Sequence, residues 1–130
     1  MWLDRAATAL LLAVGAVNLL PGLVAFAPSR IATAYGVPVD GPGSADLTVL
    51  LRHRAVLLGP VGLALVGAAF LPPLTVPAVV AGTASMGSFL LFAYLTPGLG
   101  GATARVTRID AAALTLLAVA AVLLWRRDGG

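Results

Sequence analysis

The sequence predicts an all-α fold, a membrane-spanning four-helix bundle, on three observations. Hydrophobic residues make up 60% of the 130-residue chain and charged ones only 10%, with a mean hydropathy of +1.03. Soluble domains average about 45–50% apolar and about 25% charged, so a soluble fold of this size has nowhere to hide the excess. The apolar residues fall into four runs of about 20, the length an α-helix needs to cross a bilayer core at about 1.5 Å per residue. Proline and glycine clusters divide the runs. The length argues for one integral membrane domain, residues 1–130.

The first span is expected over about residues 6–27, with Asn18 as its one strongly polar side chain. Gly15, Asn18, Gly22 and Ala25 share a face at helical spacing, which suits close helix packing, and Pro21 is expected to kink the helix. A signal peptide is the rival reading, because Arg5 precedes the run and Ala25-Phe26-Ala27 resembles a cleavage site. The run exceeds the 7–15 residues of a signal-peptide core, and Pro28 would follow the cut directly, so a retained span is expected.

Arg30 to Tyr35 is expected to form a short helix in the interface, with Tyr35 at headgroup depth. Gly36, Pro38, Gly41, Pro42 and Gly43 make a loop, and Ser44 or Asp46 is the expected N-cap of the next helix. That second span, about residues 46–71, carries Arg52, His53 and Arg54 in its first turns. Arg52, Ala55, Gly59 and Gly62 share a face that a neighbouring helix can approach, and Pro72-Pro73 ends the span. The third span, about residues 75–95, has a small-residue stripe of Ala78, Gly82 and Ser85 with Ser88 nearby. The fourth, about residues 104–125, begins with Arg105, Arg108 and Asp110, and a solvated tail follows it to Gly130.

Several chemistries are excluded or unsupported. The chain has no cysteine, hence no disulfide and no thiol chemistry. One histidine and no glutamate give no metal set, so no metal and no cofactor are expected. The net charge of +3 lies in no basic stretch interleaved with aromatics, so nucleic acid is not an expected partner. No nucleophile–base pair or phosphate loop is visible, so no catalytic residue is assigned.

Four crossings bring both termini to one side, with Trp2 and Trp125 at the same interface. Arg52, His53, Arg54, Arg105, Arg108 and Asp110 then gather at the opposite end, near Asn18 and Tyr35. Ionisable residues at membrane depth need a partner or a wet cavity, and Asp110 is expected to pair with Arg52 or Arg54. One reading is structural: the charged groups snorkel to the interface and staple the second span to the fourth. The functional reading is that surplus positive charge and His53 hold a quinone-like or anionic lipid-like ligand, with room for its tail beneath, beside Gly59 and Gly62. A proton or solute path is a third reading.

Asn18-Leu19-Leu20-Pro21, Tyr35-Gly36-Val37, Leu51-Arg52-His53-Arg54-Ala55-Val56-Leu57 and Arg105-Val106 with Asp110 carry a resemblance. The chain resembles a family of small bacterial four-helix membrane proteins marked by an Arg-His-Arg-Ala-Val stretch. More loosely, it is similar to the DoxX-like group. Some members of the close family bear the label phosphopantetheine adenylyltransferase; those soluble α/β enzymes use a two-histidine motif, which a chain with one histidine lacks. The DoxX likeness implies service in membrane oxidoreductase complexes that work with quinones.

The expected function is therefore that of a non-enzymatic or accessory protein of the inner (plasma) membrane. Its expected partners are the lipid bilayer, a quinone or anionic lipid, and a membrane protein or a second copy of itself. A subunit of a DoxX-like oxidoreductase complex is the alternative, and a small oligomeric transporter the second. Orientation is expected with both termini cytoplasmic. Arg5, Arg126 and Arg127 flank that side against Arg30 and Arg105, with Arg52, Arg54 and Arg108 set aside as structural or site charges.

Overall fold

The computed structural model describes residues 2–37 and 40–129. Five α-helices follow in order: α1 (Trp2–Val24), α2 (Pro28–Tyr35), α3 (Ser44–Ala68), α4 (Thr75–Leu95) and α5 (Gly101–Asp128). Among the described residues there is no strand. Helices α1, α3, α4 with its leading turn, and α5 are long and apolar enough to cross a membrane, at 23, 25, 24 and 28 residues. Pro38 of the expected loop and Gly130 of the tail lie outside the described residues.

The helix ends follow backbone chemistry rather than the edges of the apolar runs. α1 stops at Val24, short of the expected residue 27, because Pro28 starts α2 and Ala27 serves as its cap. α2 stops at Gly36, whose φ of 62° is a left-handed cap with its N–H bonded to Ala32 O. Gly43, at φ 79°, caps α3, not Ser44 or Asp46; the Ser44 hydroxyl instead donates to Gly41 O at 2.8 Å. α3 ends at Ala68, and Pro72–Leu74 form a 3-10 turn that hands the chain to α4. α5 extends beyond the expected 104–125 at both ends, because its polar first turns and terminal arginines continue the helix past the apolar stretch.

The four long helices run up, down, up, down. α1 packs against α3 and α5, and α4 against the same two, so α1 faces α4 and α3 faces α5 across the diagonals. The closest approach is between α1 and α3. A Cβ on Gly62 would lie 2.7 Å from Gly15 O, and one on Gly22 would lie 3.3 Å from the Gly59 Cα. The shared faces of Gly15/Gly22 and Gly59/Gly62 thus meet as the spacing predicts. Asp4 and Arg127, 3.6 Å apart, bring both ends of the chain to one end of the bundle, with exposed Trp2 and Trp125 beside them.

Two cores result. Ala7, Leu11, Val14, Leu65, Ala68, Ala78, Met86, Ala113, Leu117, Ala120 and Leu124 form the larger one toward the end that holds the termini. Ala25, Ile31, Tyr35 and Ala55 form a smaller one under α2. Met86, rather than Ser85, continues the buried stripe of Ala78 and Gly82. The outer face exposes Leu20, Leu23, Phe26, Leu63, Phe70, Val80 and Phe92, a surface that suits lipid and is far more apolar than water tolerates.

Candidate functional site

Arg54 is the hub of the site. It lies about 15 Å along α3 from Ser44, ten residues at about 1.5 Å each. Its Nη2 donates to Asp110 Oδ2 on α5 at 3.2 Å. Its Nη1 donates to the Tyr35 hydroxyl on α2. The guanidinium carbon stands 4.3 Å from the Phe89 ring centroid on α4 and 5.7 Å from that of Tyr35. One side chain therefore ties α3 to α2, α4 and α5, and with Asp110 it crosses the α3–α5 diagonal. Guanidinium suits this position: it is always charged, donates in a planar fork and stacks on aromatic faces.

The other diagonal carries Asn18, which is 3% exposed. Its Nδ2 donates to Val14 O on its own helix at 2.9 Å and to Met86 Sδ on α4 at 3.8 Å. Between the two diagonals lies a cavity of about 470 Å³. Val17, Pro21, Ile31, Leu58 and Val106 make its apolar walls; Asn18, Tyr35, Arg54 and Asp110 supply its polar groups. Exposed Leu20 and Ile109 stand on its rim, so it opens sideways between α1 and α5 toward the surrounding lipid. α2 closes its top, held there by Thr103 Oγ1 donating to Tyr35 O at 3.5 Å.

Tyr35 is turned inward and buried, because Ile31 and Tyr35 complete the smaller core. Burial pushes its phenol above the ordinary value of 10.0, against the opposing pull of Arg54.

Four of the seven expected site residues share this cavity: Asn18, Tyr35, Arg54 and Asp110. The other three lie elsewhere. Arg52 donates Nε to Ala25 O at 2.8 Å, satisfying a carbonyl freed where α1 ends, so the partner of Asp110 is Arg54 and not Arg52. His53 is exposed on the outer face, in a groove with Ser85, Ser88, Phe89 and Phe92. Arg108 is exposed on α5, as is Arg105.

Two parts of the expected site are corrected. No surplus positive charge collects in the cavity, since Arg54 and Asp110 neutralise each other there and Arg105 and Arg108 point away. Beside Gly62 the backbone of α1 leaves no tail space; a Cβ on Gly59 would meet open space, but Gly59 does not line the cavity. The room is on the other side of Leu58. Phe89 and Met86 were not anticipated. Their signal was the helical spacing of Ala78, Gly82, Met86 and Phe89, which outranks the small residues Ser85 and Ser88.

Among the described residues no cluster of His, Cys, Asp or Glu could hold a metal ion. Compared with family models, curated proteins and solved structures, the chain matches none.

Proposed function

We propose that this chain is a small multi-pass protein of the plasma membrane, accessory rather than catalytic, that holds a membrane-dissolved amphiphile in the Arg54 cavity. The observation that carries the reading is the cavity itself: about 470 Å³, within the usual range of ligand sites, apolar along its walls, polar at one place and open toward lipid. Because Asp110 balances Arg54, the charge arithmetic favours a neutral head, that of a quinone or of its reduced quinol form, over an anionic one. An anion would have to compete with the carboxylate that already occupies the guanidinium. The likeness to the Arg-His-Arg-Ala-Val family and to the DoxX-like group rests on the residues alone, and Arg54 is the second arginine of that stretch.

The proposed orientation keeps both termini cytoplasmic. With Arg108 exposed, the flanking count becomes three against three, Arg5, Arg126 and Arg127 against Arg30, Arg105 and Arg108, so it no longer favours either side.

Mass spectrometry of material co-purified in lipid discs tests the function. A neutral amphiphile is expected with the native chain and reduced in Ala34→Trp, which fills the cavity from α2. The same complement of lipids in both would overturn the proposal. A quinone in the native sample would favour the oxidoreductase-subunit reading over a purely lipid-holding one.

A further inference from the structure

The polar atoms of the cavity are unequally committed. Asn18 gives its amide hydrogens to Val14 O and Met86 Sδ. The bond at 2.9 Å to a carbonyl oxygen fixes the amide, since the reversed group would set two acceptors face to face. What Asn18 keeps is its Oδ1 acceptor. Asp110 commits Oδ2 to Arg54 and keeps Oδ1. Tyr35 accepts from Arg54 at its hydroxyl oxygen and keeps its own hydrogen. Among the described residues no sealed-in side-chain polar atom lacks a partner, so the two spare acceptors are accessible, on side chains that line the cavity.

The cavity wall therefore offers two acceptors and one donor beneath an apolar rim. An acceptor left unmet at membrane depth carries a free-energy cost, and a molecule bringing its own O–H removes it. We infer that the cavity selects amphiphiles whose head carries a free hydroxyl, which donates to Asn18 Oδ1 or Asp110 Oδ1 and accepts from the Tyr35 hydroxyl. This deepens the proposed function and rests on it. Carbonyl-only heads satisfy Tyr35 but leave both acceptors unmet. Long-chain phenols and long-chain alcohols share the required group.

The test uses two matched pairs of probes on the full chain in lipid discs, with empty discs as the blank. 4-Dodecylphenol is compared with 4-dodecylanisole, and 1-dodecanol with dodecyl methyl ether. The hydroxyl member of at least one pair is expected to bind about tenfold tighter than its ether, the effect of one unmet buried acceptor. Which pair discriminates tells an aromatic source from an aliphatic one. Asn18→Leu is expected to reduce that ratio by weakening the hydroxyl probe alone. If Asn18→Leu does not fold, the ratio in the native chain decides by itself. Saturable binding with equal affinities in both pairs overturns the head-group selection and leaves the cavity reading standing. No saturable binding of any probe overturns both.

Discussion

Replacing Asp110 by Asn removes one charge with almost no change of volume, so it isolates the electrostatic role of the pair. The geometry preserves a hydrogen bond, because the amide oxygen can still accept from Arg54 Nη2. That bond falls from the charge-assisted class, about 1.5–3 kcal/mol, to the neutral class, about 0.5–1.5 kcal/mol. Arg54 is also left without a counter-charge at membrane depth, and breaking a fully buried pair costs about 3–5 kcal/mol. The full figure does not apply. The Arg54 and Asp110 side chains are 24% and 13% exposed, and Arg54 keeps the Tyr35 hydroxyl and the Phe89 face. A loss of about 2–3 kcal/mol is therefore expected in reversible unfolding from mixed micelles. Arg127→Gln breaks pairs whose arginine is 41% exposed, and should cost about 0.5 kcal/mol. The double variant Arg54→Leu/Asp110→Leu removes both charges together and should regain most of what Asp110→Asn loses. Equal, small losses for Asp110→Asn and Arg127→Gln would refute the reasoning and make Asp110 a solvated surface charge.

The α1–α3 contact should be intolerant of one methyl group: on Gly62 it would meet Gly15 O at 2.7 Å and Leu19 N at 2.8 Å, so Gly62→Ala is expected to cost about 1–3 kcal/mol. Gly87→Ala, with nothing within 4 Å, should gain up to about 1 kcal/mol; equal effects of the two would show that the helices are not in close contact. In a Tyr94→Phe background, tyrosinate absorbance should place the Tyr35 midpoint above 10.0. Stability is then constant below about 10 and falls as pH rises through the higher folded value, because the unfolded phenol ionises first; a midpoint at or below 10.0 contradicts the burial. Cysteines replacing Leu3 and Gly129 should react with an impermeant reagent from the same face, as the Asp4–Arg127 approach requires, and labelling from opposite faces would sink the four-span topology. A periplasm-active reporter fused after residue 130 should stay silent if that face is cytoplasmic.

The helical layout was legible because it rests on terms that sum over many residues. Each span needed only a sustained apolar run, and each break needed only Pro or Gly. The α1–α3 contact was also legible, since small residues recurring at helical spacing, Gly15 and Gly22 on one helix and Gly59 and Gly62 on the other, leave a groove on one face. The caps were less so: Gly43 takes the cap of α3 because a glycine adopts φ 79° without strain, while the neighbouring Ser44 has the better side chain for the task. The site was legible in part. Charge at membrane depth pointed to Arg54 and Asp110, but adjacent residues on a helix diverge by about 100°. Arg54 therefore reaches the cavity while His53 stays in the outer groove that both residues line, and no hydropathy pattern orders three consecutive polar residues. The aromatic partner Phe89 comes from a helix with no charge at all, so a search among ionisable residues passes over it.

The cavity follows from the lengths of the diagonal side chains. Toward the termini the diagonals are filled by Ala68, Ala113 and Ala120 with a few leucines, and the helices close around them. One level higher the fillers are Arg54 with Asp110 and Asn18 with Met86. These side chains meet at their tips, and the cavity lies beside them under α2. A bundle that needed only to hold its helices together would do at least as well with apolar residues of similar volume in place of the ion pair, since charges taken from water recover little more than they lose. As a staple, then, the pair is an expensive way to join α3 to α5. As the polar wall of a chamber in an apolar medium it has no apolar substitute. Both members of the pair line the cavity and keep 24% and 13% of their side chains exposed, where a staple sealed between helices would show neither.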